Sequence, residues 1–399
     1  MNQITELPKC LCCDRGALTQ VIDFKETLLA NNYSVKEKFP LRVNRCTHCN
    51  HLQLAHSVDP SILFSDYPYF SGTSKTFISF CKGFAKLAFD SVAESKGSRP
   101  ISVMDIACND GTQLDAFRDL GLSTYGIDPA KNVGDIAKGK GHSVFIQRFE
   151  DTDVDPDGFF DIITAQNVLA HTPTPLAFLE KCRQMMRDHS RLFITTSQAN
   201  MILNTEFDSI YHEHISYFNA YSLGFLLERA GLQLLNLTTD PIHGTSYIAE
   251  VGIKCVRTTR WEHMLPERSI FEEEMGLHRA TTYSVWEKQV WLKTKLARET
   301  ILDFRQAEHL VFGCGAAAKG ITFMNIAGIQ PDYLLDTTPA KWGKTAAGTT
   351  ISPFHILKDA WRGGKPLLLL ILAWNFEREV RKNILALRDD PRDSFLVLK

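Results

Sequence analysis

The stretch ISVMDIACNDGTQLDAF, residues 101–117, decides the fold. Ile101 to Ile106 is an apolar run of strand character, Cys108-Asn109-Asp110-Gly111 is a tight turn, and Leu114 and Phe117 recur at helical spacing. Strand, turn and helix in that order predict the first unit of a doubly wound parallel sheet. Upstream, Phe77 to Val92 reads as a helix. Downstream, STYGIDPA (123–130) is a second strand ending in Asp128, and HSVFIQRFED (142–151) a third ending near Glu150 and Asp151. FFDIITAQNVLAHTPTP (159–175) is a fourth, with Asn167 to His171 just past its end, and RLFITTSQ (191–198) is a fifth. Such sheets bind ligands beyond the carboxyl ends of their strands.

The same device returns near the C-terminus. HLVFGCGAAAKGITFMN (309–325) is a strand, a glycine turn at Gly313 and Gly315, and a helix start; PDYLLDTTP (331–339) is a strand ending in Asp336. PLLLLILAWNF (366–376) is another, with Trp374 and Asn375 at its carboxyl end. Its core, Leu367 to Trp374, is the longest apolar run in the chain. It reads as a fully buried parallel strand and falls far short of the ~18 residues of a membrane span. A charged, helix-like span over 256–308 separates the two α/β regions.

Bulk composition narrows the classes. A chain of 399 residues exceeds one core, and 44% hydrophobic with 23% charged residues is ordinary globular protein. A net charge of −2 gives no footing for nucleic acid or an anionic membrane. MNQITELPKC carries no secretory signal, so a cytoplasmic, reducing location is expected, and ten cysteines need a role other than disulfides. Cys10-x-x-Cys13 and Cys46-x-x-Cys49 supply the tetrahedral four-sulfur set of a structural zinc site, with Cys12 as a competing ligand inside the first pair.

The turn DIACNDGT has one glycine, so it is neither a dinucleotide fingerprint nor a P-loop. A small-residue turn with an acid ending the next strand fits adenosine, Asp128 accepting from the ribose hydroxyls, and favours S-adenosylmethionine over NAD. The candidate cofactor residues are Asp105, Cys108, Asn109, Asp110, Gly111, Asp128, Pro129, Glu150, Asp151 and Asn167. In GCGAAAKG, Gly315, Ala316 and Lys319 open a helix whose N-terminus suits an anion such as a pyrophosphate.

The densest titratable cluster is FDSIYHEHISYF, residues 207–218. Zinc ligation by His212 and His214 would need a third ligand that the neighbourhood lacks. An acid–base centre or a polar bend are the other readings, and His212 and His214 would face opposite sides of a strand.

The order CxxC, LLAN, CxxC, HLQLAH, YPYFSGTS, DIACNDGT, GIDPA, NVLAH, FDSIYHEHISYF, IHGTS, GCGAAAKG and AWNF resembles the three-domain sugar C-methyltransferases, from Cys10 to about Phe376. The resemblance implies a zinc-binding domain over 1–74, an S-adenosylmethionine-binding methyltransferase domain over 75–240 and a smaller Rossmann-like substrate domain over 241–399. It implies methylation at C3 of a 4-keto-deoxysugar nucleotide through a base-generated enolate, in deoxysugar and natural product biosynthesis. His214 would be the base, Glu213 its orienting partner, Tyr211 a donor to the enolate oxygen, and His171 and Tyr69 further active-site residues. His243, Gly315, Ala316, Lys319, Trp374 and Asn375 would bind substrate.

Two stretches depart from the family pattern. IHGTS stands where HGGS is usual, and TTPAKWGKTAAGTTISP (337–353) lacks the expected Asn, Arg-Tyr and His. Both lie where substrate should be read. An O- or N-methyltransferase acting on another small metabolite is the alternative, and nothing in the sequence requires more than a monomer.

Overall fold

The structure is a computed structural model and describes residues 3–15, 17–64, 70–93, 99–153, 158–197, 201–254, 261–360 and 364–399. Tyr69 lies outside the described residues. The chain groups into two compact units, one of Met1–Gln20, Val43–Asn200 and Glu213–Arg279, the other of Val21–Arg42, Met201–His212 and Ala280–Lys399.

The N-terminal strands are β1 (Ile4–Glu6), β2 (Leu18–Leu28), β3 (Lys38–Cys46), β4 (Leu52–Leu54) and β5 (His56–Val58), followed by the short helix α1 (Pro60–Phe64). β1 pairs antiparallel with β5, and β4 pairs antiparallel with β3. The two CxxC turns sit at the foot of this sheet, one before β2 and one between β3 and β4.

The helix α2 (Lys75–Ala93) leads into the main sheet of the first unit. Its elements run β6 (Ser102–Ile106), α3 (Thr112–Arg118), β7 (Ser123–Asp128), α4 (Lys131–Gly139), β8 (Ser143–Ile146), β9 (Ile162–Gln166), α5 (Pro175–Gln184) and β10 (Arg191–Ser197). After β11 (Ser216–Tyr217) come α6 (Ala220–Arg229), β12 (Leu232–Asp240), β13 (Ser246–Ile253) and α7 (Trp261–Glu274). The seven strands lie in the order β12-β13-β10-β9-β6-β7-β8. All pair in parallel from β8 to β10, whereas β13 runs antiparallel to both β10 and β12.

Alternation along each strand gives the sheet two apolar faces. Met104, Ile106, Ile163 and Ile194 pack with Phe178 of α5 and Leu226 of α6 on one face. Val103, Ile162 and Phe193 pack with Phe84 and Ala88 of α2 and Phe117 of α3 on the other. α6 starts where it does because Asn219 and Ser222 form a reciprocal capping box, Ser222 N–H donating to Asn219 Oδ1 at 2.7 Å.

The second unit holds α8 (Ala280–Gln306), β14 (Leu310–Cys314), α9 (Ala318–Ala327), β15 (Tyr333–Leu335), β16 (Thr345–Ala346) and β17 (Thr349–Ser352). α10 (Ile356–Ala360), β18 (Leu367–Ile371), α11 (Glu377–Leu385) and β19 (Ser394–Val397) complete it. Its sheet has the order β16-β17-β15-β14-β18-β19, parallel except for β16. β18 is buried along its whole length between β14 and β19, as its unbroken apolar run predicts. The expected fold class, α/β with two Rossmann-like sheets and a cysteine-rich N-terminal region, is the one observed.

Candidate functional site

Strand order reverses between β6 and β9, and in such sheets ligands bind at this switch point, beyond the carboxyl ends of the two strands. The chain leaves β6 through a strained turn: Ala107, Asn109 and Gly111 have φ of 58°, 52° and 78°. Asn167 leaves β9 with φ of 55°. Non-glycine residues in this region cost energy and gather at ligand sites.

The turn is held by hydrogen bonds to its own acids. Asp128 Oδ2 accepts from Asn109 N–H at 2.9 Å and Oδ1 from Ala130 N–H at 2.8 Å. Asp110 accepts from the Thr112 hydroxyl at 2.6 Å. A Cβ on Gly126 would meet Cys108 Sγ at 2.6 Å, so the second strand passes directly behind the turn. Burial raises Asp128 from 3.8 to about 6, against the pull of its two backbone donors. Burial likewise raises Asp105 to about 7, but its carboxyl sits inside β6 and accepts the Thr164 hydroxyl at 2.6 Å. Cys108 is buried, Pro129, Glu150 and Asp151 are exposed, and Asn167 is half-buried with its N–H on Thr195 O at 2.7 Å.

Sequence reading passed over the residues that cover this turn. Ser71 N–H donates to Asn109 Oδ1 at 3.0 Å, and Gly72 N–H to Asp110 Oδ2 at 2.8 Å. A Cβ on Gly72 would meet Thr112 Oγ1 at 2.9 Å, which explains a glycine in YPYFSGTS.

Beyond β9, His171 closes a single helical turn, and its ring meets that of His214 edge to face at 4.8 Å. Burial holds His171 near 4, so it stays neutral. His214 and Glu213 are both buried. Their backbone is pinned by Ile215, whose N–H donates to Ala170 O at 2.7 Å and whose carbonyl accepts Leu54 N–H at 2.8 Å. β11 then pairs with β4, Ser216 opposite Gln53. A strand of the zinc-type region therefore places His214.

His212 belongs to the second unit, its Nε2 3.1 Å from Phe39 O. A carbonyl only accepts, so Nε2 carries the proton, and burial holds this ring near 4. Tyr211, in the same unit, is half-buried. His243 lies in the first unit, in the turn between β12 and β13, with its ring 5.4 Å from that of Phe77. Ser246 pairs with Ser197, so this turn stands at the carboxyl edge of the main sheet.

The Sγ atoms of Cys10, Cys13, Cys46 and Cys49 all lie within 4.8 Å of one another, with Cys10–Cys49 and Cys13–Cys46 at 3.5 Å. Zinc–sulfur bonds of ~2.3 Å in a tetrahedron put sulfurs ~3.8 Å apart, so the set fits zinc. The two knuckles match: Asp14 N–H donates to Cys10 O at 2.9 Å and Asn50 N–H to Cys46 O at 3.0 Å. Asp14 and Asn50 both take positive φ, 53° and 57°. Cys12 is buried outside the set, which settles the choice for Cys13.

In the second unit Gly315 has φ of 85°, and Ala316 is fully buried. The Ala316 carbonyl accepts Lys341 Nζ at 2.9 Å and the Tyr33 hydroxyl at 3.3 Å. Gly315 N–H donates to Leu335 O and Ala317 N–H to Gly315 O, so two donors of the expected anion cradle are taken internally. Lys319 Nζ lies 4.7 Å above the Trp374 ring, and Asn375 is half-buried beside it in sequence.

Known proteins agree with this layout. Three family models match in sequence: "Putative zinc binding domain" over 10–64, "Methyltransferase domain" over 80–237 and "C-methyltransferase C-terminal domain" over 241–395. The chain is similar to C-methyltransferase NovU of Streptomyces niveus, 26% identical over 95% of this chain and 93% of the relative. It is 25% identical to a ubiquinone biosynthesis O-methyltransferase of Xanthomonas euvesicatoria pv. vesicatoria over 33% of this chain and 62% of that protein. Among solved structures, magnesium protoporphyrin IX methyltransferase from Synechocystis PCC 6803 with bound SAM superposes with a TM-score of 0.35 at 15% identity, over 45% of this chain and 82% of that one.

The family models, the full-length relative and the four-cysteine cluster define an S-adenosylmethionine-dependent methyltransferase with a structural zinc site. More narrowly, the chain belongs to the three-domain C-methyltransferases, in which zinc-binding, methyltransferase and C-methyltransferase C-terminal segments follow one another. Among the described residues no helix is long and apolar enough to cross a membrane.

Proposed function

We propose that this C-methyltransferase acts on the carbon beside a ketone, C3 of a nucleotide-linked 4-keto-deoxysugar, with His214 as the base. The observation that carries the reading is the neutral His171 ring set edge to face against His214. When His214 takes the C3 proton it becomes an imidazolium, and a neutral neighbour adds no like-charge repulsion. Glu213 orients that imidazolium, Tyr211 serves the enolate oxygen, where negative charge develops, and Tyr69 is a further active-site residue. The enolate carbon is then the nucleophile, and bound S-adenosylmethionine supplies the electrophilic methyl group.

Asp128 accepts the ribose hydroxyls of the cofactor, and the backbone of Cys108 to Gly111 lies against its adenosine part, with Asn167 at the facing strand end. His243, Gly315, Ala316 and Asn375 are assigned to recognition of the substrate. The functional segments follow as 1–74, 75–240 and 241–399.

The test is product analysis with methyl-13C S-adenosylmethionine and a nucleoside diphosphate 4-keto-6-deoxysugar. A new carbon–carbon coupling at C3 is expected. A label on oxygen or nitrogen would give the protein to the O- or N-methyltransferase reading instead.

A further inference from the structure

Asp208 has no exposed surface. Its Oδ2 accepts the indole N–H of Trp374, and among the described residues its Oδ1 finds no hydrogen-bond partner. A buried carboxylate left without donors is costly, so the indole N–H, beside the nearby Lys293 charge, secures this one. Trp374 follows β18 at the carboxyl end of the second unit's sheet, and Lys319 Nζ lies 4.7 Å above its ring. The edge of the indole and one face are thus occupied by the protein itself.

The same peptide is held at neighbouring points. Lys293 Nζ donates to Thr205 O, and Trp286 Nε1–H to Glu206 O at 3.1 Å. The Phe207 ring packs on Phe323 at 4.9 Å. Burial raises Glu206 and the neighbouring Asp208 charge adds to that, while Lys319 and Lys293 lower it. His214 lies six residues beyond Asp208.

We propose that Asp208 and Trp374 are positioning residues for methyl transfer: their indole–carboxylate bond anchors the peptide 201–212 that leads into His214. The inference rests on the reading of His214 as the base, and it takes Trp374 out of direct substrate contact.

Trp374→Phe keeps an aromatic ring under Lys319 but removes the donor. Its kcat should fall about 100-fold, the scale of a misplaced catalytic group, while substrate KM and S-adenosylhomocysteine affinity hold within about threefold. Amide hydrogen exchange in 201–212 should quicken about tenfold or more. Asp208→Asn, whose amide oxygen still accepts the indole proton, should keep slow exchange and most of kcat, whereas Asp208→Leu should lose both. Zinc content and thermal unfolding, measured first, separate these effects from misfolding.

A Trp374→Phe enzyme with intact kcat and raised KM would make the indole a ligand platform and overturn the proposal. Unchanged exchange would overturn it equally. Wild-type enzyme that fails to C-methylate would refute the function proposed above, and the exchange measurement would still judge the anchor.

Discussion

The imidazoles of His171 and His214 meet edge to face, their centroids 4.8 Å apart and their planes at 81°. One ring comes from the end of β9, the other from the peptide that Ile215 ties to Ala170 and Leu54. The main sheet and the zinc-side strands converge on this pair. His214→Ala should lower kcat about 10²–10⁴-fold, the range of a lost general base. Calorimetry with S-adenosylhomocysteine should find affinity nearly unchanged. Retained turnover would transfer the proton abstraction to His171 or Tyr211.

The proposed role of Asp128 as the ribose acceptor predicts that cofactor binding is sensitive to pH. Its carboxyl is raised by burial from 3.8 to about 6, so between those values the folded protein holds a proton the unfolded chain has released. Its stabilising contribution is therefore present at low pH and lost as pH climbs through about 6. Ribose hydroxyls need an ionised acceptor. Affinity for S-adenosylhomocysteine should be flat above pH 6 and fall about tenfold per unit below it. Asp128→Asn should weaken binding roughly 10–100-fold and flatten that profile.

With His214 as the proposed base, chain geometry links the zinc knuckle to catalysis. Cys46 and Cys49 bracket the turn between β3 and β4, and β4 pairs with the strand that follows His214. Cys46→Ser should lose zinc by metal analysis and unfold at lower temperature. It should lower kcat without changing the pH profile of the remaining activity. A zinc-free variant with full activity and unchanged melting would contradict this.

Gly320 is a packing residue. A Cβ there would meet Leu372 Cβ at 2.3 Å and its backbone oxygen at 2.8 Å, so α9 rests directly on the chain leaving β18. Gly320→Ala should cost about 1–3 kcal/mol, the usual price of overpacking, read from the urea midpoint, with zinc retained.

Much of this was legible along the chain because several parallel strands are apolar runs closed by small or acidic residues. Asp128, Asp336 and the buried run Leu367–Ile371 announce themselves that way. The antiparallel insertion of β13 between β10 and β12 did not, since pairing order is decided by tertiary packing. Cys12 and Cys13 are adjacent thiols, and only the folded knuckle separates ligand from bystander. Asp208 and Trp374 stand 166 positions apart, beyond any local pattern. The strain at Ala107, and at His243, Gly244 and Thr245 with φ of 55°, 101° and 115°, is likewise a property of the closed turns.

The most direct test is solvent deuterium exchange at C3 of a nucleoside diphosphate 4-keto-6-deoxysugar, with S-adenosylhomocysteine bound so that no methyl group can transfer. Wild-type protein should wash deuterium into C3, and His214→Ala should not. Absence of exchange with a substrate that the wild-type enzyme methylates at carbon would contradict base-generated enolate chemistry at His214.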